Sequence, residues 1–139
     1  MSYEEKGTWV YLLAGAGSYF VYVIVLLGRV GDGALVDVPF KSAMLWAVGV
    51  AVVLSVVGRV VVEIVKPGGS FKRDVRDREI HRFGEYVGGV VLGVGMVGPF
   101  VLVLAEAGYF WVANAMYAVF VSAAVVASAT KLVSYRRGL

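Results

Sequence analysis

The sequence predicts an all-α fold, a four-helix transmembrane bundle built from two pseudo-symmetric helical hairpins. Of its 139 residues, 60% are hydrophobic and 17% are charged, and the mean hydropathy is +0.82. Soluble domains contain about 45–50% apolar and about 25% charged residues. Long apolar stretches and a one-sided distribution of basic residues support the same class. Because cysteine is absent, a disulfide scaffold is excluded.

Four uninterrupted apolar stretches, each of about 19–23 residues, divide the chain, which we treat as one transmembrane domain. A helix needs about 20 residues to cross a hydrocarbon layer of about 30 Å. Membrane strands are shorter, about 9–11 residues, and alternate in polarity, so helices are favoured. Glu4 and Glu5 precede the first stretch, which argues against a signal peptide. The predicted spans are 9–27, 43–65, 86–104 and 109–130.

Most basic residues fall on one side of the membrane if the spans alternate in direction. Only Arg29 and Lys41 fall on the other side, and Arg59 lies inside the second span. Cytoplasmic segments retain Lys and Arg, so both termini and the central loop are predicted to be cytoplasmic in a multi-pass plasma-membrane protein. The residues on the basic side are Lys6, Lys66, Lys72, Arg73, Arg76, Arg78, Arg82, Lys131, Arg136 and Arg137.

The two halves of the chain align as a repeat. Gly7 falls on Gly84, and Arg59 falls on Lys131 after a small change of register in the outer loop. Two hairpins of equal orientation would be related by a pseudo-twofold axis along the membrane normal. A shared helix composition is the alternative explanation.

Small residues in the third span predict close helix packing, because van der Waals contact rather than hydrophobic burial holds helices together in lipid. Gly89, Gly93 and Gly95 are the candidate packing residues, either against the small residues of the first span or in a homodimer. Pro99 lacks an amide hydrogen and predicts a kink, which is a candidate hinge. The G-x-G-x-x-G pattern starting at Gly93 has no preceding strand, so no cofactor is expected.

Residues 71–85 predict a helical extension of the third span into the cytoplasm. Its acidic and basic residues alternate, which disfavours nucleic acid and a polybasic lipid-binding tract. The segment is a candidate site for a cytoplasmic protein partner, alongside the lipid bilayer. The residues proposed to contact that partner are Arg73, Arg76, Arg78 and Arg82.

Within this segment, Asp77, His81 and Glu85 recur every fourth residue and share a helix face. Two carboxylates and an imidazole are a weak candidate metal or proton site. A solvated charged face is the alternative.

Three further charges mark a candidate transport path. Arg59 and Glu63 lie one turn apart inside the second span, and Glu106 lies at the outer end of the third. Charges within a span indicate a functional site, whereas Arg59 paired with Glu63 and extended to the interface would be structural. The sequence has no cysteine and one histidine and contains no catalytic motif, so no enzyme activity is predicted.

The segments Tyr3-Glu-Glu-Lys-Gly-Thr-Trp9, Arg76-Asp-Arg-Glu-Ile80 and Tyr135-Arg-Arg-Gly138 resemble those of small uncharacterised four-span membrane proteins of actinobacteria and other Gram-positive bacteria. The resemblance covers nearly the whole chain. Such proteins are often encoded beside helix-turn-helix regulators, which implies a regulatory link. We therefore expect a non-enzymatic signalling or accessory protein acting through residues 71–85, with a small homodimeric transporter or channel as the alternative.

Overall fold

The computed structural model describes residues 3–65 and 75–138, and every regular element in these residues is helical. Four segments are long and apolar enough to cross a membrane, the third of them divided into two helices. The predicted fold class is confirmed. The helices are α1 (Tyr3–Arg29), α2 (Lys41–Val65), α3 (Val75–Gly95), α4 (Val97–Leu104) and α5 (Tyr109–Arg137), with a short 3-10 turn at Leu35–Asp37.

The helices pair as two hairpins joined through one central interface. Helix α1 packs against α2, α3 packs against α5, and α1 also packs against α5. Within the described residues, α2 and α3 make at most a marginal contact. A pseudo-twofold axis would map α1 onto α3 and α2 onto α5. The same axis would relate the α1–α5 interface to an interface between α3 and α2. Helices α1 and α5 pack together, whereas α2 and α3 are not in close contact, and we call the space between them the α2–α3 seam.

The third span is interrupted near its middle. Helix α3 ends at Gly95 and α4 begins at Val97, with Met96 between them. Pro99 cannot donate an amide hydrogen to the Gly95 carbonyl, so the helical ladder is broken here. The amide of Phe100 still donates to the Met96 carbonyl at 3.1 Å. Pro99 itself is buried, so the break lies inside the bundle.

The third span packs through glycine, and its partner is α5. A Cβ atom on Gly88 would lie 2.7 Å from Ala127 Cβ and 3.2 Å from the Ala123 carbonyl oxygen. The absence of a side chain therefore allows close approach of the two helices. The first span, one of the two partners considered for these small residues, is therefore not the helix that Gly88 meets, because this seam joins α3 to α5; a homodimer contact stays a prediction.

The three predicted packing glycines differ in their surroundings. A Cβ on Gly95 would lie 2.7 Å from Val119 Cγ1, so Gly95 also belongs to the seam with α5. A Cβ on Gly89 or Gly93 would meet no atom within 4 Å. These two glycines therefore contribute no packing within the described chain.

Helix α4 ends in a Schellman motif with an unusual residue at its left-handed position. The amide of Ala107 donates to the Leu102 carbonyl at 2.9 Å, and the amide of Glu106 donates to the Val103 carbonyl at 3.0 Å. Glu106 has a φ of 56°. Glycine is the usual residue there because a Cβ atom crowds the backbone.

Candidate functional site

A polar cavity of about 400 Å³ opens among all four spanning segments at one end of the bundle. This is the end where α1 and α3 begin and α2 and α5 finish, and we call it the basic end. The cavity is called the vestibule below. Helices α2 and α3, which make little contact with each other, both contribute to its lining. Its charged lining residues are Glu4, Arg59, Glu85 and Lys131, and the single histidine, His81, lines it as well.

Two ion pairs lie in the vestibule, one in each hairpin. Arg59 Nη2 of α2 lies 4.0 Å from Glu4 Oε1 of α1. Lys131 Nζ of α5 donates a hydrogen bond of 2.5 Å to Glu85 Oε1 of α3. Arg59 and Lys131 are the residues that the repeat alignment superimposes, so both copies of the aligned basic residue face the same cavity.

Gly84 makes the second ion pair possible. A Cβ atom at this position would lie 2.7 Å from Lys131 Cε and 3.1 Å from the Ala127 carbonyl oxygen. The aliphatic part of Lys131 therefore crosses α3 over the bare backbone of Gly84, one residue before Glu85. The equivalent glycine in the first hairpin, Gly7, lines the vestibule as well.

The rim of the vestibule joins the start of α1 to the end of α2. The Tyr3 hydroxyl donates a short hydrogen bond to Glu63 Oε1. Arg59 lies beside Glu4, and the Tyr3 hydroxyl that donates to Glu63 also interacts with Arg59, so Tyr3 connects Glu63 to the charges of the vestibule. Glu63 itself is exposed and does not line the cavity.

The structure does not bring the three predicted path residues together. Arg59 and Glu63 lie at the basic end, whereas Glu106 follows α4 at the opposite end of the bundle. Glu106 is exposed there. These charges therefore lie at opposite ends of the bundle.

An aromatic cluster surrounds one amide side chain toward the end of the bundle opposite the vestibule, where α1 finishes and α5 begins. The Tyr22 hydroxyl donates to Asn114 Oδ1 at 2.5 Å, and Asn114 Nδ2 donates to the Phe110 carbonyl at 2.8 Å. The rings of Tyr19 and Tyr22 each contact the ring of Tyr117 edge-on, with centroids 5.1 Å and 5.3 Å apart. The cluster joins α1 to α5 at that end.

The candidate metal residues do not form a metal site. Glu85 is bonded to Lys131, and His81 lines the vestibule. Across residues 3–65 and 75–138, no group of three or more His, Asp or Glu side chains is arranged to hold a metal ion. Asp77 is partly buried on the first turn of α3.

The basic residues proposed to contact a partner have different environments. Arg73 lies outside the described residues. Arg76 Nη2 donates to the Tyr135 carbonyl at 3.0 Å, which satisfies a carbonyl in the last turn of α5. Arg78 and Arg82 are exposed. Among the three arginines that the structure describes, Arg78 and Arg82 remain candidates for an external contact, and Arg73 is not tested.

Sequence reasoning missed Glu4, Tyr3 and Lys131 as site residues, and it missed the bond between Tyr22 and Asn114. One signal for the latter is present, because Asn114 is the single asparagine of the sequence, glutamine is absent, and the residue falls inside an apolar stretch. An amide in a span is expected to hydrogen-bond to a neighbouring helix.

A larger groove of about 610 Å³ lies between α1 and α2. Its lining is almost entirely apolar, with Arg29 at one end, so it lacks the paired charges of the vestibule. Comparison of the chain with protein-family models, with curated proteins and with solved structures gives no match.

Proposed function

We propose that this small multi-pass membrane protein is a transporter that takes up small charged solutes at its basic end. The observation that supports this proposal is the vestibule, in which four helices direct charged side chains into one cavity. Ionisable groups in a membrane bundle are costly and typically mark the route of a substrate. The proposed activity moves a solute and involves no covalent chemistry.

The interrupted third span supports movement of the bundle. Helix α3 carries Glu85 and ends at Gly95, and the break before Pro99 separates it from α4. Discontinuous helices are a recurring feature of transporters, where one part of the bundle moves against another around a central site. We propose that α3 moves relative to α5 about this break, and that the tyrosine cluster opens when the vestibule closes.

The orientation is part of the same proposal. Basic residues favour the cytoplasmic side, so the vestibule would open to the cytoplasm of a cell with a plasma membrane. Single cysteines placed at Val75 and Arg137 should react with a membrane-impermeant thiol reagent only from the cytoplasmic side. The natural absence of cysteine means that these reporters need no prior substitutions.

Transport is tested with a bulky residue inside the vestibule and a matched one outside. Ser55 lines the vestibule, while Ser122 is exposed on α5. Both hydroxyls donate to the carbonyl four residues earlier at 2.7 Å, so the two positions have the same local bonding. Ser55→Phe should block the vestibule, and Ser122→Phe should leave it open.

The assay uses proteoliposomes loaded with three solutes of similar size. They are the zwitterion glycine betaine, the anion 3,3-dimethylbutanoate (tert-butylacetate) and the cation choline. We expect protein-dependent efflux of at least one of them, abolished by Ser55→Phe and retained by Ser122→Phe. Circular dichroism would establish that both variants fold. Absence of efflux for all three solutes, or equal efflux from both variants, would reject the transport proposal.

A second candidate function is the docking of a regulator on the start of α3, the activity implied by the sequence resemblance. It is favoured by one observation, which is that Arg78 and Arg82 are exposed beside Phe83, a residue with 52% of its surface exposed. Arginine and aromatic side chains that are exposed within two turns of a helix suit a protein partner.

Charge reversal tests this candidate, and Arg76 is left unchanged because it holds the end of α5. The double variant Arg78→Glu with Arg82→Glu should lose a partner that co-purifies from membranes with the wild-type chain. Arg136 and Arg137 are also basic and exposed at the same end, so their reversal is the control. Equal recovery with both double variants would reject a specific docking site.

A further inference from the structure

The larger groove, of about 610 Å³, lies between α1 and α2, and we call it the α1–α2 groove. Leu13 and Trp46, which are 65% and 75% exposed, line it, so it opens on the outside of the bundle. Both helices are long and apolar enough to cross a membrane, and the outside of the bundle is then in contact with lipid. The occupant of the groove is therefore a lipid or another membrane-embedded chain.

Small side chains leave this space between the two helices. A Cβ atom on Gly17, which lines the groove, would meet no atom within 4 Å, and Ala14, Ala43 and Ala47 line it as well. Small residues usually let spanning helices approach closely, whereas here they leave a groove. The atoms around an empty apolar space lose dispersion contacts, and water does not fill such a space. A hydrocarbon chain restores those contacts.

The length of the groove suits one acyl chain. Along α2 it extends from Ser42 to Leu54, a distance of about 18 Å at about 1.5 Å per residue. The acyl chains of one leaflet occupy about half of a hydrocarbon layer of about 30 Å, which is about 15 Å. A lipid whose headgroup lies beside Ser42 would therefore end near Leu54.

The charge at one end of the groove indicates the headgroup. In the described part of the chain, Arg29 is the one charged residue that lines the groove. Its Nη1 donates to the Pro39 carbonyl at 3.1 Å, which holds the guanidinium at this end. Its other N–H groups donate to no further residue among those that the structure describes. A guanidinium forms paired hydrogen bonds to phosphate, so these groups suit a lipid phosphate.

The neighbouring charges favour a headgroup with a net negative charge. Arg29 and Lys41 are the two basic residues predicted to lie on the side opposite the basic end, and Lys41 directly precedes Ser42, which lines the groove. None of the described residues that line the groove is acidic. Asp32 and Asp37, between α1 and α2, are exposed and do not line it. The cationic group of a zwitterionic headgroup would therefore find no anion in the groove.

The same charges disfavour a second copy of this chain as the occupant. A symmetric contact brings the same surface of both chains together, which would place two copies of Arg29 at the same depth of the membrane. Because the described lining contains no acidic residue, neither guanidinium would gain a partner of opposite charge. A lipid phosphate supplies that partner.

We propose that the α1–α2 groove binds an anionic phospholipid, with one acyl chain between the two helices and the phosphate on Arg29. This inference goes beyond the proposed transport function and does not depend on it, because the groove and the vestibule share no lining residue.

Native mass spectrometry of the full chain, released from detergent micelles, tests the selectivity. The protein is mixed with equal amounts of dioleoyl phosphatidylglycerol, which is anionic, and dioleoyl phosphatidylcholine, which has the same acyl chains and no net charge. We expect the protein to retain phosphatidylglycerol several-fold more than phosphatidylcholine. Equal retention of the two lipids would overturn the inference.

The headgroup contact is tested at Arg29. Arg29→Gln should remove the preference for phosphatidylglycerol, and it keeps an N–H donor for the Pro39 carbonyl. Arg136→Gln removes the same charge from an exposed residue at the basic end, so it is the control and should keep the preference. If both variants show the same preference, Arg29 does not hold the headgroup and the inference is wrong.

The acyl chain is tested with two matched glycines. Gly17 and Gly93 are both exposed helical residues at which a Cβ atom would meet nothing within 4 Å, and Gly93 does not line the groove. Gly17→Phe should lower the retention of both lipids several-fold, whereas Gly93→Phe should leave it unchanged, with circular dichroism to establish that both fold. Equal retention by the two variants would refute the site, as would a lipid-free dimer that only Gly17→Phe dissociates.

Discussion

Replacement of Gly88 by alanine tests the glycine seam on which the second hairpin depends. The added Cβ would lie 2.7 Å from Ala127 Cβ and 3.2 Å from the Ala123 carbonyl oxygen. Both neighbours belong to the rigid part of α5, so no flexible side chain can move aside. Carbon atoms pack at about 3.5–4.0 Å, which requires the helices to separate locally by about 1 Å.

A gap of this size removes about a quarter to a half of the dispersion energy of the contacts that it affects. Insertion of a methyl group into a packed interior typically costs about 1–3 kcal/mol. We therefore expect Gly88→Ala to lower the free energy of unfolding by about 1–3 kcal/mol. The measurement is equilibrium unfolding by SDS in mixed micelles, followed by circular dichroism.

Gly89 provides the control, because it is the next residue in the same helix and its Cβ would meet no atom within 4 Å. Alanine there restricts the unfolded backbone in the same way as alanine at Gly88, and it should leave the stability unchanged or raise it by up to about 1 kcal/mol. If the variants at Gly88 and Gly89 are equally stable, close packing does not hold α3 to α5.

Two further predictions use the same unfolding assay. Glu106→Gly should raise the free energy of unfolding by about 0.5–1 kcal/mol, since glycine relieves the crowding at a φ of 56° at some cost in chain entropy. Glu106→Ala retains the Cβ atom, so a gain of the same size in that variant would contradict the explanation. Tyr22→Phe should lower the free energy of unfolding by about 0.5–1.5 kcal/mol, because it removes the donor to Asn114 inside the bundle. The same substitution at Tyr109, which is 86% exposed, should have no effect, and equal losses at both positions would show that the hydrogen bond contributes nothing.

The number and type of the elements followed from apolar length alone. Each span is long enough for a helix, and Pro99 predicted the interruption of the third, because both are local properties of the chain. The helix ends were less predictable. Helix α1 begins at Tyr3 and α5 continues to Arg137, beyond the apolar stretches, because backbone hydrogen bonding continues where side chains become polar.

Helix pairing was not predictable from the glycines. A row of small residues indicates which face can approach another helix, and it does not specify the partner. Gly88 and Gly89 are adjacent in sequence, yet one packs against α5, whereas a Cβ on the other would meet no atom of the described residues within 4 Å. That difference is set by the rotation of α3, which depends on every other contact of the bundle.

The vestibule was predictable only in part. Alignment of Arg59 with Lys131 indicated that the two basic residues occupy equivalent positions, and the structure places both in one cavity. The residues that pair with them had other predicted roles. Glu4 was considered only as an acidic residue before the first span, and Glu85 was considered as a candidate metal ligand. Contacts between residues that are 46 or more positions apart depend on helix packing, which a local pattern does not contain.

Helix α2 has a consequence for the kind of bilayer in which the protein works. None of its residues is buried, and its extensive packing is with α1 alone. Arg59 and Glu63 occupy its last two turns, so its charge-free part, residues 43–58, would be only about 24 Å long as a straight helix, less than the hydrocarbon thickness of about 30 Å. A span that is too short is accommodated by local thinning of the bilayer or by charged side chains that extend to the interface. Thinner membranes should therefore bring Arg59 and Glu63 closer to the interface, which makes lipid chain length a determinant of how the cavity beside α2 is hydrated.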